Sequence, residues 1–250
     1  MKRIILLSAT CLSFLLNYSV SGQDTQKLPR NLFKVNLTAL VFKNYSFQYE
    51  RVLTRKVSFA VAFRTMPSSS LPFKNTIIDA NNNQDTKDAI DALRLSNTAV
   101  TPEFRFYMSK KGYGRGFYIA PFYRYASFKA DGMKFSYTNS SNTKSNILLS
   151  GKLTANTGGI LFGTQKTLGK HLCLDIWILG PHYGSGAGDF SGISSTPLTQ
   201  AEQDGLRQSL NDFDIPLTNK TVIVTANGAT MKLDGPWGGI RSGISLGFRF

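Results

Sequence analysis

The amino-acid sequence predicts an all-β fold: an eight-stranded antiparallel up-and-down transmembrane β-barrel with long external loops carrying short helices. Three observations lead to this prediction. Apolar and polar side chains alternate along eight segments of the chain, which is typical of strands whose two faces meet different environments. The connections between these segments are short at one end and long at the other. The chain also ends on an alternating strand whose last residue is aromatic.

The first 22 residues have the layout of a secretory signal peptide. Two basic residues precede an apolar run over residues 4–16, and small residues lead to an expected cleavage site between Gly22 and Gln23. The apolar run is shorter than the roughly 20 residues that a transmembrane helix needs. Lipoprotein processing at Cys11 is the alternative for this segment.

Beyond the signal peptide, we expect residues 23–33 to be a mobile leader and residues 34–250 to form one barrel domain. Cys173 is then the only cysteine, so no internal disulfide contributes to stability. The formal charge of +14 falls by two, to +12, when Lys2 and Arg3 are removed. A basic secreted chain is better matched to anionic lipid head groups than to nucleic acid.

Each predicted strand has an apolar face and a more polar face. The apolar positions are, in chain order, Val35, Leu37, Ala39 and Val41; Tyr45, Phe47 and Tyr49; Val57, Phe59, Val61 and Phe63; Val100, Phe104, Phe106 and Met108; the aromatic-rich segment Phe117–Phe128, whose facing the pattern leaves open; Leu149, Leu153 and Ala155; Leu172, Leu174, Ile176 and Ile178; and Ile240, Ile244, Leu246, Phe248 and Phe250. Alternation alone does not decide whether the apolar face points outward to lipid or inward to a core.

The lengths of the connections favour the membrane orientation. Short turns are expected at Thr54-Arg55, Lys110–Gly116 and Leu168–Lys170, and long polar connections at Pro67–Asn97, Lys129–Asn146 and Gly184–Pro236. One rim of short turns and one of long loops is the outer-membrane barrel pattern. The short Lys43-Asn44 hairpin, on the long-loop side, is the exception.

Two segments of the long connections have helical character, Asp85–Leu95 and Thr199–Leu210. Thr199 followed by Glu202 fits a capping box. Both segments are expected to be short helices that order external loops.

The C-terminal strand GISLGFRF ends at Phe250. A terminal aromatic on an alternating last strand resembles the recognition signal that barrel assembly machinery reads. This machinery is therefore an expected partner, and the bacterial outer membrane is the expected location.

Three segments of the chain resemble a known group of proteins. They are FKVNLTALVFKNYSFQYERVLTRKVSFAVAFRTM, TPEFRFYM and GFYIAPFYRY, and they resemble small outer-membrane β-barrels of the domain-of-unknown-function family 3575 and its relatives. The resemblance covers the strands and not the long loops. It implies an outer-membrane location and a barrel architecture, and it supplies no catalytic residues.

Eight strands enclose an interior that side chains fill, rather than an open pore. If the apolar faces point outward, the inward polar set comprises Gln48, Glu50, Arg64, Glu103, Arg105, Lys152, Asp175, Arg241 and Arg249. Because buried charges need partners, this set predicts a salt-bridge network with Glu50 and Glu103 among the arginines. A narrow proton or ion path, or a small-ligand site, is the functional alternative.

Lipid A deacylases and palmitoyl transferases are eight-stranded outer-membrane barrels with His and Ser near the external rim. The corresponding candidates here are His182, Ser185 and Asp189, which lie close in sequence after the seventh strand. Nucleophilic catalysis would need the base within hydrogen-bond reach of the hydroxyl. No set of metal ligands is apparent, and no cofactor is expected.

The expected function is non-enzymatic, in envelope integrity or in surface binding through the external loops. Outer-membrane lipids are the expected partners, with the phosphates of lipopolysaccharide meeting basic loop residues such as Lys74, Lys129 and Lys144. A lipid-modifying enzyme is one alternative. A soluble periplasmic lipocalin-like barrel, with the apolar set around an apolar ligand, is another.

Overall fold

A computed structural model describes residues 29–79, 87, 90–213 and 217–250. The predicted signal peptide and residues 23–28 of the predicted leader lie outside the described residues. The strands are β1 (Asn31–Asn36), β2 (Tyr45–Val52), β3 (Val57–Ser70), β4 (Arg94–Tyr107), β5 (Gly116–Thr138), β6 (Lys144–Leu168), β7 (Leu172–Ile193), β8 (Asn219–Thr225) and β9 (Gly228–Arg249). The helices are α1 (Leu37–Val41), α2 (Lys74–Asp79) and α3 (Gln200–Asp212).

Eight of these strands close into a ring. Strands β1 to β7 pair antiparallel with their chain neighbours, β7 pairs with β9, and β9 pairs with β1. Closure satisfies the backbone donors and acceptors that an open sheet would leave at its two edges. The predicted all-β, antiparallel, up-and-down architecture is therefore confirmed in the part of the chain that the structure describes.

The two ends of the ring differ. The turn end carries the connections over residues 53–56, 108–115 and 169–171, together with the start of β1 and the end of β9. The opposite, loop end carries the longer connections. Strand β1 begins at Asn31, so the predicted start of the barrel at residue 34 is three residues late.

The first strand ends at Asn36, and the prediction that it continues to Val41 was wrong. The side-chain oxygen of Asn36 accepts hydrogen bonds from the backbone N–H of Ala39 at 2.9 Å and from the hydroxyl of Thr38 at 2.7 Å. This capping turns the next five residues into the helix α1. The backbone N–H of Ile244 donates to the hydroxyl of Thr38 at 3.3 Å, so α1 lies against β9.

Two of the three predicted long loops are largely strand. Strands β5 and β6 continue to a turn over residues 139–143, inside the expected Lys129–Asn146 connection. The expected Gly184–Pro236 connection contains the ends of β7 and β9 as well as β8 and α3. Only the connection between β3 and β4 is close to the prediction: it covers residues 71–93, and the expected bounds were Pro67–Asn97. The polar, glycine-rich outer faces of these strand extensions hide the alternation that marks the rest of the ring.

The extended ends of β5, β6, β7 and β9 combine with β8 and α3 into a layer at the loop end, which we call the loop layer. Strand β8 pairs with the loop-end part of β9. The layer has its own apolar core, comprising Phe135, Ile147, Leu149, Phe190, Leu198, Leu206, Leu210, Val224, Ala229, Met231 and Leu233. Burial of these side chains away from water is the main contribution that holds α3 on the sheet.

The helix expected over Thr199–Leu210 is confirmed, with its capping box, as α3. Of the helix expected over Asp85–Leu95, residues 85, 86, 88 and 89 lie outside the described residues, and residues 87 and 90–92 are helical. The last two residues of the expected helix instead begin β4. No helix among the described residues is long and apolar enough to cross a membrane.

Within the ring, the alternation places polar side chains inside and apolar side chains outside. On β2, Gln48 and Glu50 are buried while Phe47 and Tyr49 are exposed, as the pattern predicts. The prediction for β6 was wrong, because Lys152 is exposed instead of facing inward. This part of β6 borders the loop layer, where the inside of the sheet is an apolar core and the outside is polar.

Glu202 fixes the start of α3. Its carboxylate accepts hydrogen bonds from the backbone N–H of Thr199 at 2.8 Å and of Ser140, in the β5–β6 turn, at 2.8 Å. These bonds hold the pKa of Glu202 at about 2, below its ordinary value of 4.5. A carboxyl group with a lowered pKa contributes stability that is complete above its unfolded pKa and is lost as the pH falls through its folded pKa.

We therefore expect α3 to loosen between pH 4.5 and about pH 2, as measured by hydrogen exchange of its amides corrected for the intrinsic rate. Glu202→Gln should show the loosened state already at neutral pH and little further change on acidification. Asp204→Asn is the control, because Asp204 is exposed on the same helix and contacts Arg207. Equal pH dependence in wild type and Glu202→Gln would contradict the assignment.

Candidate functional site

Four charged side chains meet inside the ring near its turn end, and we call them the ionic cluster. Lys34 of β1, Glu50 of β2, Arg105 of β4 and Asp175 of β7 are each 0% exposed. Lys34 donates to Glu50 and, at 2.8 Å, to Asp175. Arg105 donates to the same two carboxylates, at 3.2 Å and 2.7 Å. Two cations thus share two carboxylates, which offsets the cost of removing all four charges from water.

A third carboxylate, Glu103, extends the cluster toward the loop end. Arg105 lies 2.6 Å from Glu103, and the amide of Gln48 donates to the same carboxylate at 3.0 Å. Arg241 donates to the other oxygen of Glu103 at 3.1 Å. The Arg241 guanidinium also lies 4.8 Å from the ring centre of Trp177, a cation–π contact.

Neutral hydroxyl groups complete the hydrogen bonding of the buried carboxylates. Glu50 accepts from the hydroxyls of Tyr107 at 2.7 Å and Ser58 at 2.6 Å. Asp175 accepts from the hydroxyl of Tyr118 at 2.8 Å. With these partners in place, the four charged side chains are fully buried and hydrogen-bonded at this level of the ring.

Inward-facing glycines make room for the large side chains. A Cβ at Gly247 would lie 2.7 Å from Cγ of Lys34, and one at Gly163 would lie 2.4 Å from the hydroxyl oxygen of Tyr118. Both separations are shorter than van der Waals contact. The narrow ring therefore needs glycine at these two positions to hold the charged and aromatic side chains opposite them.

Arg249 lies still nearer the turn end and is only partly paired. Its Nη2 donates to the carbonyl oxygen of Tyr113 at 2.7 Å. Its Nε and Nη1 are buried with no hydrogen-bond partner in the described part of the chain. Arg249 is therefore outside the ionic cluster, although it shares its inward face.

A cavity of about 420 Å³ lies on the loop-end side of the ionic cluster. Its wall includes three arginines, Arg64, Arg124 and Arg241, together with His182. Helix α1 and the facing part of β9 complete the wall. The interior of the ring is therefore divided into a packed, paired half and a hollow, arginine-lined half.

The structure brings together most of the polar residues that the sequence places inside. Gln48, Glu50, Glu103, Arg105, Asp175 and Arg241 join one hydrogen-bonded network, Arg64 lines the cavity, and Arg249 lies apart. Lys152 is absent from this network because it faces outward.

The interior residues that sequence reasoning missed include Lys34, Gln165 and Arg124. Lys34 is next to Val35 on β1 and therefore lies on the other face of the strand. The alternation thus already implied that Lys34 faces inward. Gln165 accepts from Arg105 at 3.2 Å, but it lies beyond the predicted end of its strand. Arg124 belongs to the aromatic-rich β5, where apolar residues occupy both faces and the alternation is weak.

The predicted rim site is not assembled. Strand β7 continues through His182, Ser185 and Asp189, so its alternation separates them. His182 lines the interior cavity, whereas Ser185 and Asp189 are exposed and face outward. A base on one face of a sheet does not reach a hydroxyl on the other. The sequence proximity of the three residues therefore misled the prediction.

The chemistry that this interior supports is charge pairing and anion contact. Each of the three carboxylates accepts hydrogen bonds from at least one cation. Within the described ranges, no group of three or more His, Cys, Asp and Glu side chains is placed to hold a metal ion.

Comparison with known proteins leaves the family open. No family model matches the chain, and no curated protein matches it significantly, so the resemblance to family 3575 stays an expectation. Among solved structures, the crystal structure of Acinetobacter baumannii CarO is similar, with 11% sequence identity and a TM-score of 0.38 over 91% of this chain and 100% of that chain. No functional argument follows from a likeness at this level.

We expect Asp175→Asn to destabilise the folded ring by about 3–5 kcal/mol, because it removes one of the two carboxylates that pair with Lys34 and Arg105. The measurement is the denaturant midpoint of the refolded protein in detergent micelles. Asp189→Asn is the matched control, since Asp189 is exposed on the same strand. Equal midpoints for the two variants would show that the ionic cluster is not needed for stability.

Proposed function

We propose that this protein is a non-enzymatic integral β-barrel of the bacterial outer membrane that is closed by its ionic cluster and acts at the cell surface through its loop end. The observation that carries this proposal is the polarity of the ring, which is charged inside and apolar outside. A soluble barrel has the opposite polarity, because its surface meets water and its core excludes water.

The outer surface of the ring carries an apolar band. Its exposed members include Phe33, Tyr45, Phe47, Tyr49, Phe63, Val100, Phe104, Phe106, Phe117, Tyr123, Tyr125, Ile160, Leu172, Ile178, Ile240, Ile244, Leu246 and Phe248. Every one of the eight ring strands contributes at least one of them. An exposed apolar surface of this extent is unfavourable in water and matches lipid.

Charged residues mark the two limits of the apolar band. Toward the loop end, Lys129, Lys152, Asp189 and Lys232 lie side by side on neighbouring strands. Toward the turn end, β6 presents an exposed Lys166. The 14-residue step from Lys152 to Lys166 spans about 46 Å along the strand, or about 35 Å along the barrel axis at an ordinary tilt. That height accommodates an outer-membrane hydrocarbon layer and its two interfaces.

The orientation follows from the two ends of the ring. We place the turn end in the periplasm and the loop layer outside, which is the arrangement of outer-membrane barrels with short periplasmic turns. In this orientation β9 ends on the periplasmic side, where we expect barrel assembly machinery to act. We also expect the lysines at the loop-end limit of the band to meet lipopolysaccharide phosphates at the membrane surface.

The two rival functions fit the geometry less well. A lipid-modifying enzyme would need a base and a nucleophile together, and His182 lies on the opposite face of β7 from Ser185. A soluble lipocalin-like barrel would need an apolar interior for its ligand, and the ring interior holds the ionic cluster.

The first test is fractionation of cells that express the full chain, followed by electrophoresis of the membrane fraction with and without boiling. We expect the protein in the outer membrane, with a mobility that changes on boiling because a closed barrel resists detergent until heated. Recovery in the soluble periplasmic fraction, without a heat-dependent mobility, would overturn the proposal.

A second test separates a lipid-facing surface from a water-facing one. Phe104 is 48% exposed within the apolar band, so Phe104→Arg should cost about 2–4 kcal/mol if the residue faces the bilayer centre and should lower the yield of folded barrel in the outer membrane. Leu148→Arg is the matched control, since Leu148 is 53% exposed on the loop layer beyond the band. On a water-facing surface Phe104→Arg would be as harmless as Leu148→Arg, and that result would count against membrane insertion.

A further inference from the structure

The arginine-lined cavity has more positive charge than its surroundings neutralise. Arg64 donates to the side-chain oxygen of Asn44 at 2.8 Å, and Arg124 donates to the hydroxyl of Thr101 at 3.2 Å. Neither arginine contacts a carboxylate within the described residues. Arg241 reaches Glu103 at 3.1 Å, but that carboxylate is shared with Arg105.

The imbalance extends over the whole ring interior. Among the described residues, the inward-facing cations are Lys34, Arg64, Arg105, Arg124, Arg241 and Arg249, and the buried carboxylates are Glu50, Glu103 and Asp175. All three carboxylates belong to the network near the turn end. Of the three cations without a carboxylate partner, Arg249 lies near the turn end, whereas Arg64 and Arg124 line the cavity beside Arg241.

The repulsion between these arginines destabilises the folded protein. Arg124 is repelled by the charges of both Arg64 and Arg241, and all three arginines line the same cavity. Arg124 and Arg241 are only 9% and 8% exposed, so water screens their repulsion weakly. Replacing the arginines by neutral residues would relieve the repulsion, and a bound anion would neutralise it.

We propose that the cavity is a binding site for a phosphate monoester group, held by Arg64, Arg124 and Arg241. Guanidinium groups bind phosphate through paired, charge-assisted hydrogen bonds, and three of them match the charge and the several acceptor oxygens of a phosphate dianion. The volume of about 420 Å³ lies at the small end of ligand sites. Phe42, Ala62 and Trp177 give the wall apolar surface for an organic substituent on the phosphate.

The seam between α1 and β9 forms one wall of the cavity. Strand β1 pairs with β9 only at residues 245–249, and β8 pairs with it only at residues 228–234. On that edge residues 235–244 of β9 lack a strand partner in the described part of the chain, and Ile240, Ser242 and Gly243 line the cavity there. A phosphate can arrive at this seam on a dissolved ester or on the head group of an outer-leaflet lipid.

The test is calorimetric titration of the mature chain in detergent micelles with phenyl phosphate, with phenol as the probe that lacks the phosphate. We expect saturable binding of phenyl phosphate only, weakened by added salt. Arg64→Gln and Arg124→Gln should each weaken binding at least about tenfold, since each removes charge-assisted hydrogen bonds. Arg207→Gln, which changes an exposed arginine on α3, should leave it unchanged.

A second titration uses lipid A carrying its phosphates, against dephosphorylated lipid A, in mixed micelles. Arginine-dependent binding of phenyl phosphate identifies a dissolved ester as the source, and arginine-dependent binding of phosphorylated lipid A alone identifies the lipid head group. Failure of wild type to bind either probe, or undiminished binding by both arginine variants, overturns the site. Arg64→Gln and Arg124→Gln remove charges without carboxylate partners, so both variants should keep the heat-dependent mobility of the folded ring. If one variant does not fold, the comparison of phenyl phosphate with phenol on the wild-type protein still tests whether the site binds phosphate.

Discussion

The fold depends on the pairing of Lys34 and Arg105 with Glu50 and Asp175. These residues come from β1, β2, β4 and β7, which are distributed around the ring, and each is fully buried. Any open sheet would separate them and leave single charges in a low-dielectric interior, at a cost that a small domain does not recover. The ionic cluster therefore favours ring closure and fixes which face of each strand points inward.

The alternation of β2, β4, β7 and β9 was enough to predict the interior of the ring. On the turn-end parts of these strands, charged and amide residues alternate with apolar residues, and the ring has only two faces on which they can lie. Glu50, Glu103, Arg105 and Asp175 could therefore be placed inside from the sequence. Their individual partners could not, because strand order around the ring and register along it set which side chains meet.

The failures of prediction occur where the environment changes along one strand. On β6 the outward-facing side chain is apolar at Ile160 and charged at Lys152, so a rule that assigns apolar residues to the outside holds in one part of the strand and fails in the other. At α1 the pattern Leu37, Ala39, Val41 suits a strand, yet the local hydrogen bonds of Asn36 determine a helix instead. The separation of His182 from Ser185 likewise follows from β7 continuing as a strand where a glycine-rich loop was expected.

The early end of β1 connects these features to function. Had the strand continued to residue 41, it would have covered the β9 edge beside the cavity and sealed the wall at that level. Capping by Asn36 replaces that strand with α1, which contacts β9 through Thr38. On the edge of β9 away from β7, residues 235–244 are therefore left without a strand partner among the described residues. This unpaired edge lines the same cavity as the two arginines that have no carboxylate partner, Arg64 and Arg124. The packed ionic cluster lies on the turn-end side of the cavity. The same ring thus combines a packed half, in which the charge-balanced ionic cluster gives stability, with a hollow half lined by three arginines, where we propose that an anion binds.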